Sequence, residues 1–136
     1  MEKVLNIIIV DDNIEFRKNL KTFIEYKLNY NVIGEASNGI EFLELISNNN
    51  SADTILMDIA MDFMDGIEAT LRAIWDNNRI KIIAITMHTE NTFLVTLVQA
   101  GFKGCVFKSD IFTELKKAID KVMSGDLFFP ENIQLS

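Results

Sequence analysis

The 136 residues read as one α/β domain, a five-stranded parallel sheet of order 2-1-3-4-5 with helices on both faces. Three observations predict it. Short apolar runs alternate five times with stretches of helical periodicity. The connections are too short to leave room for a second domain. Four of the apolar runs stop abruptly at a polar residue, as strands do at the ligand edge of an open sheet.

The elements follow in order. Val4–Val10 is β-branched and apolar, a buried strand that stops at Asp11-Asp12-Asn13. Asn13 is a good N-cap for a helix whose periodic residues are Ile14, Phe16, Leu20, Phe23, Ile24 and Leu28. Asn29-Tyr30-Asn31 turns the chain into a second strand over Val32–Ala36. Asn38-Gly39-Ile40-Glu41 resembles a capping box, and Ile40, Leu43 and Ile46 mark the inward face of the second helix. Thr54–Asp58 is the third strand. Asp65-Gly66 closes the loop after it, and Ile67, Leu71 and Ile74 mark the third helix. Lys81–Ile85 is the fourth strand, ending at Thr86. A helix from about Glu90 to Ala100 stops at Gly101. Gly104–Phe107 is the fifth strand, ending at Lys108. Asp110 caps a last helix with Ile111, Leu115, Ile119 and Val122 inward, and Gly125 ends it. Residues 1–125 form the domain, and 126–136 read as a tail or the start of a linker. Right-handed crossovers leave few topologies, and 2-1-3-4-5 is the order of the flavodoxin-like folds.

Composition excludes several classes. A net charge of −7 argues against direct binding to nucleic acid or an anionic membrane. One cysteine, Cys105, rules out an internal disulfide, and one Cys with one His makes an ordinary zinc site a poor fit. The apolar N-terminal run is too short to span a bilayer and lacks a signal-peptide cleavage pattern. The expected location is the cytoplasm.

In the expected topology strands 1, 3, 4 and 5 are neighbours, so Asp11, Asp12, Asp58, Thr86 and Lys108 form a row along one edge. Adjacent strands lie about 4.8 Å apart, which brings the three carboxylates within a few ångströms of each other. Uncompensated, they repel and raise one another's pKa. A hard divalent cation relieves this, and Mg²⁺ combines one or two carboxylates with waters and a phosphate oxygen. Lys108 stands roughly 10 Å from Asp58, a gap its flexible stem largely spans. Thr86, between them, has a hydroxyl to donate to a phosphate oxygen. Asp58 then reads as a carboxylate nucleophile toward phosphorus, with the cation and Lys108 neutralising the transferring group. The plainer alternative is that each acid caps a loop and Lys108 is a solvated strand end.

The residues Ile9-Val10-Asp11-Asp12, Met57-Asp58…Met61…Met64-Asp65-Gly66, Ile85-Thr86 and Ala100-Gly101…Gly104…Val106-Phe107-Lys108 resemble the receiver domain of two-component response regulators. The resemblance covers residues 4 to about 125. It implies that Asp58 is the phosphoacceptor. It implies that Asp12, Asp58 and the Ala60 carbonyl bind Mg²⁺ (Mn²⁺ as a substitute), with Asp11 helping through water. It assigns Thr86 and Lys108 to the phosphoryl group, and makes Thr86 and position 105 the switch residues. The implied partners are a sensor histidine kinase or phosphotransfer protein, and a second copy on activation through helix 4, strand 5 and helix 5. Thr86-Met87-His88-Thr89, Lys108-Ser109-Asp110 and the Gly125…Pro130 ending are similar to the NarL/FixJ subgroup, whose receivers precede a LuxR-type output domain. That output domain is not in this chain, so any DNA contact and control of transcription would run through it. Such a protein is no enzyme beyond catalysing its own phosphorylation and dephosphorylation.

Three departures stand out. Asp62 replaces the usual Pro, so a less rigid loop is expected after Asp58. Cys105 replaces the usual aromatic. His88 is the only histidine, near the site but not a donor. Helix 4 is the other oddity, since no residue from Asn91 to Phe102 is charged. Two rivals are weaker. A haloacid-dehalogenase-like phosphatase needs a second acid where Ala60 stands, and the acids after strand 1 would repel an FMN phosphate. A stand-alone or phosphorylation-independent receiver, acting as a protein-interaction module, is the remaining alternative.

Overall fold

The computed structural model describes residues 3–48, 51–88 and 90–130. Its strands are β1 (Asn6–Val10), β2 (Asn31–Ala36), β3 (Thr54–Asp58), β4 (Ile82–Thr86) and β5 (Gly104–Phe107). They alternate with helices α1 (Ile14–Tyr26), α2 (Gly39–Asn48), α3 (Gly66–Asp76), α4 (Asn91–Ala100) and α5 (Ile111–Met123). All strand pairs are parallel, in the order β2-β1-β3-β4-β5. The order and fold class are those expected from the alternation of elements.

Two cores lie on opposite faces of the sheet, because successive strand residues point to opposite sides. Ile8, Val10, Ile55, Met57, Ala84 and Cys105 pack with Phe42, Ala69, Leu94 and Leu97 from α2, α3 and α4. Ile7, Ile9, Leu56, Ile83 and Val106 pack with Leu20, Ile24, Leu115 and Ile119 from α1 and α5. The five strands are buried on both faces, apart from β2 at the edge, which explains their unbroken apolar runs.

Helix ends follow their sequence signals. Asn13 Oδ1 accepts from the Phe16 N–H at 2.9 Å, and Asp65 Oδ1 from the Glu68 N–H at 2.9 Å. Gly101 ends α4 with φ of +100°, and Gly125 follows α5 with φ of +94°. Asp110 is the exception: expected to cap α5, it makes no side-chain cap bond, because it ends a 3-10 turn over Lys108–Asp110 and lacks the extended backbone of Asn13 and Asp65.

Helix faces were less legible. Ile14, Ile40 and Leu71, expected inward, are exposed. The buried face of α2 is set by Phe42, whose ring takes the central position and leaves Leu43, Leu45 and Ile46 as flanks. In α3 the buried residues are Gly66, Ala69, Thr70 and Ala73. That helix lies so close to the sheet that only small residues fit beneath it, and Leu71 and Trp75 turn outward.

Residues after Gly125 stay on the body as far as Pro130. The Phe128 N–H donates to the Lys103 carbonyl at 3.0 Å, and the Cys105 N–H to the Phe128 carbonyl at 2.8 Å. Phe128 thereby pairs with the outer edge of β5, whose free backbone groups would otherwise face water. Residues 131–136 of the expected tail lie outside the described residues.

Candidate functional site

Sheet register fixes which strand ends stand level. Val10 pairs with Met57, so Asp11 and Asp58 follow side by side. Asp58 pairs with Ile85 and Thr86 with Phe107, which sets Thr86 and then Lys108 along the same edge. Asp11, Asp12 and Asp58 each offer an oxygen within 4.8 Å of the others'. Asp11 and Asp58 are buried, while Asp12 is exposed at the rim.

The Lys108 ammonium crosses β4 to meet both buried acids. Its Nζ stands 3.0 Å from Asp11 Oδ2 and 3.4 Å from Asp58 Oδ1. It also lies 4.5 Å from the centre of the Phe16 ring, a cation–π contact that steadies its stem. Burial works against that charge, but Asp11 and Asp58 outweigh it, and the Lys108 pKa is raised. Burial pushes the Asp58 carboxyl up to about 6; Asp11 adds to the push and Lys108 opposes it.

Asp11 is held by its other oxygen. Oδ1 accepts from the Asn13 N–H at 2.8 Å. Oδ2 is buried with no hydrogen-bond partner among the described residues, its contact with Lys108 being an ion pair without hydrogen-bond angles. A buried carboxylate oxygen whose one close partner is an ammonium, in a cluster with two further carboxylates, suits a hard cation with oxygen ligands. No hydrogen bond is formed to the Ala60 carbonyl among the described residues, so it too is available.

Thr86 is buried at the end of β4, and its Oγ1 accepts from the His88 N–H at 3.0 Å. Its hydroxyl proton stays free to donate, but Thr86 makes no hydrogen bond to the acids among the described residues. Cys105 lies away from the acids, in the core beside Ala84 and Leu97. Burial pushes its thiol up to about 12. His88 is exposed, with Nδ1 3.6 Å from Glu90 Oε2 and its ring 4.9 Å from that of Phe93.

Two supports were not legible in the sequence. Arg17 Nη1 donates to the Asp11 carbonyl at 2.6 Å, and its Nε pairs with Glu35 at 3.1 Å. Phe16 and Arg17 read only as members of an amphipathic helix. The loop after Asp58, expected to be less rigid for want of a proline, has two backbone hydrogen bonds to its surroundings. The Gly66 N–H donates to the Ile59 carbonyl at 2.9 Å, and the Gly39 N–H to the Met64 carbonyl at 3.1 Å.

A family model described as the response regulator receiver domain matches residues 7–120. Response regulator UvrY of Escherichia coli (strain K12) is 32% identical over 130 residues, covering 96% of this chain and 59% of UvrY. Transcriptional regulatory protein LiaR of Bacillus subtilis (strain 168) is 32% identical over 123 residues, covering 90% of this chain and 58% of LiaR. The chain thus spans somewhat more than half the length of these relatives. A two-component response regulator of the LuxR family from Aurantimonas sp. SI85-9A1 superposes with a TM-score of 0.89 at 29% identity. That match covers 96% of this chain and 93% of the other.

Proposed function

The chain belongs to the response regulator receiver domain family, NarL/FixJ subgroup, and on that footing we propose that Asp58 is the residue through which it is switched. A phosphorylation-dependent switch fits this family and this fold. In the proposed reaction an Asp58 oxygen attacks the phosphorus of a phosphohistidine on a sensor kinase or phosphotransfer protein. The O–P bond forms, the N–P bond breaks, and the imidazole leaves and takes up a proton. Hydrolysis of the acyl phosphate resets the switch, so catalysis is limited to the domain's own phosphorylation and dephosphorylation.

Each residue has a part. Lys108, already against Asp58, moves its charge to the phosphoryl oxygens. Thr86 donates its hydroxyl to another, which pulls on the loop that His88 ties to it. Asp12, Asp58 and the Ala60 carbonyl would hold Mg²⁺, with Asp11 helping through water and Mn²⁺ as a substitute. The cation, when bound, neutralises the charge that three acids and a phosphoryl group gather there. The observation that carries the reading is the cluster of Asp11, Asp12 and Asp58 oxygens within 4.8 Å of one another, with Lys108 Nζ set against both buried acids.

The activated domain pairs with a second copy through α4, β5 and α5, and controls transcription through an output domain beyond residues 126–136. No described helix is long and apolar enough to cross a membrane, which suits a cytoplasmic partner of such a kinase. The test is intact mass after incubation with acetyl phosphate and Mg²⁺. One phosphoryl group should add to the wild type and none to Asp58→Ala. A full adduct on Asp58→Ala, or a wild-type adduct formed equally in EDTA, overturns the assignment.

A further inference from the structure

The loop between Asp58 and α3 contains a bulky residue in a conformation that bulky residues avoid. Phe63 has φ of +68°, and the Met64 N–H donates to the Asp62 carbonyl at 2.8 Å. This is a three-residue γ-turn of the rare positive-φ kind. For a residue with a Cβ it is strained and persists only where its surroundings enforce it. They do so on both sides. Met64 is buried, its carbonyl accepts from Gly39, Asp65 caps α3, and Gly66 bonds back to Ile59. A Cβ on Gly39 would stand 2.7 Å from Met64 Cγ and 2.9 Å from its carbonyl oxygen, so α2 presses directly on the turn.

The strain does nothing for the core, because the Phe63 ring is 87% exposed. An exposed aromatic ring on a backbone held by its neighbours has mainly side-chain rotation left to lose on binding. Such rings make strong anchors at protein contacts. Position identifies the occupant. Asp58 is nearly sealed, and a donor must enter past the loops that follow β1, β3 and β4. Each of these loops, or the helix it opens, shows an exposed apolar side chain: Ile14 at 58%, Phe63 at 87% and Met87 at 79%.

We infer that Phe63 is a specificity-determining residue of this domain, an aromatic anchor for an apolar surface beside the phosphohistidine of a protein donor. The inference rests on Asp58 being the phosphoacceptor. A small donor such as acetyl phosphate enters without touching such a rim. The ratio of protein-donor rate to acetyl-phosphate rate therefore isolates the ring.

Phosphorylated phosphoacceptor domains of sensor kinases are screened against the wild type, and the fastest donor is used with Phe63→Asn and Phe63→Tyr. Asn tolerates positive φ and keeps the turn while removing the ring. The rate ratio should fall about tenfold in Phe63→Asn, through KM, and recover in Phe63→Tyr. An unchanged ratio in Phe63→Asn overturns the inference, as does an equal loss in both variants. An unchanged ratio with loss of beryllofluoride-induced dimer assigns the ring to a second copy instead, which also overturns it. A wild type that gains no phosphoryl group on Asp58 from either donor is a different result, and sinks the phosphoacceptor reading beneath it.

Discussion

Lys108 Nζ lies 3.0 Å from Asp11 Oδ2, closer than to Asp58. The ammonium thus sits in the acidic cluster where a divalent cation would bind. The two compete, since each neutralises the same buried charge. Lys108→Gln should bind Mg²⁺ more tightly than the wild type in a titration without phosphodonor, and should still lose phosphoryl transfer. In EDTA it should be less stable, because three acids are left without a cation. Asp12→Ala should weaken Mg²⁺ binding far more than Glu114→Ala. Equal Mg²⁺ affinities for all four proteins would show that the acids are not the cation site.

Asp58 makes stability depend on pH in an unusual direction. Its carboxyl titrates near 6 in the folded domain, against 3.8 in the unfolded chain. Between those values the folded state binds more protons, so the contribution of Asp58 to stability falls as pH rises from about 4 to 6. Asp58→Asn lacks that loss. Urea midpoints in EDTA, wild type minus variant, should become steadily more negative across the window and level off above it. A flat difference would mean that Asp58 ionises freely.

Gly66 approaches the Asp58 backbone more closely than any other side chain would permit. A Cβ there would overlap the Asp58 carbonyl oxygen and stand 2.9 Å from Met57 Cγ. Gly66→Ala must push α3 off the sheet, at a cost of roughly 1–3 kcal/mol. Urea denaturation should show that loss, and phosphorylation of the folded fraction should slow as well. Gly125→Ala meets no neighbour but is strained by its φ of +94°, so it should lose stability without affecting phosphorylation.

Position 105 tests the switch. Cys105 has no ring to swing when Thr86 moves, so activation should be partial. The Cys105 side chain is buried against Ala84 and Leu97, so a ring there needs α4 to give way. Where α4 yields and Cys105→Tyr folds, it should raise the fraction of dimer at saturating beryllofluoride, read by sedimentation; loss of folding would make Cys105 simply core. If it folds with an unchanged dimer fraction, Cys105 is not what limits the switch.

Sequence alone determined the backbone plan and the edge chemistry. Apolar runs that stop at Asp11, Asp58, Thr86 and Lys108 mark strand ends, and parallel crossovers bring those ends to one edge whatever the details of packing. Asn13, Asp65 and Gly101 were legible as helix signals because capping is local.

What only the tertiary structure decided depends on distances between segments far apart in the chain. The inward faces of α2 and α3 follow from how near each helix comes to the sheet, so Phe42 and Ala69 are buried where Ile40 and Leu71 were expected. That the loop after Asp58 is bonded to Gly39 on α2 depends on a helix far from it in the chain. That Phe128 completes the edge of β5 follows from the groups that edge leaves unpaired. The ordering of Lys108 between Asp11 and Asp58 has the same origin: three strands converge there, and the charge balance of the site exists only where they meet.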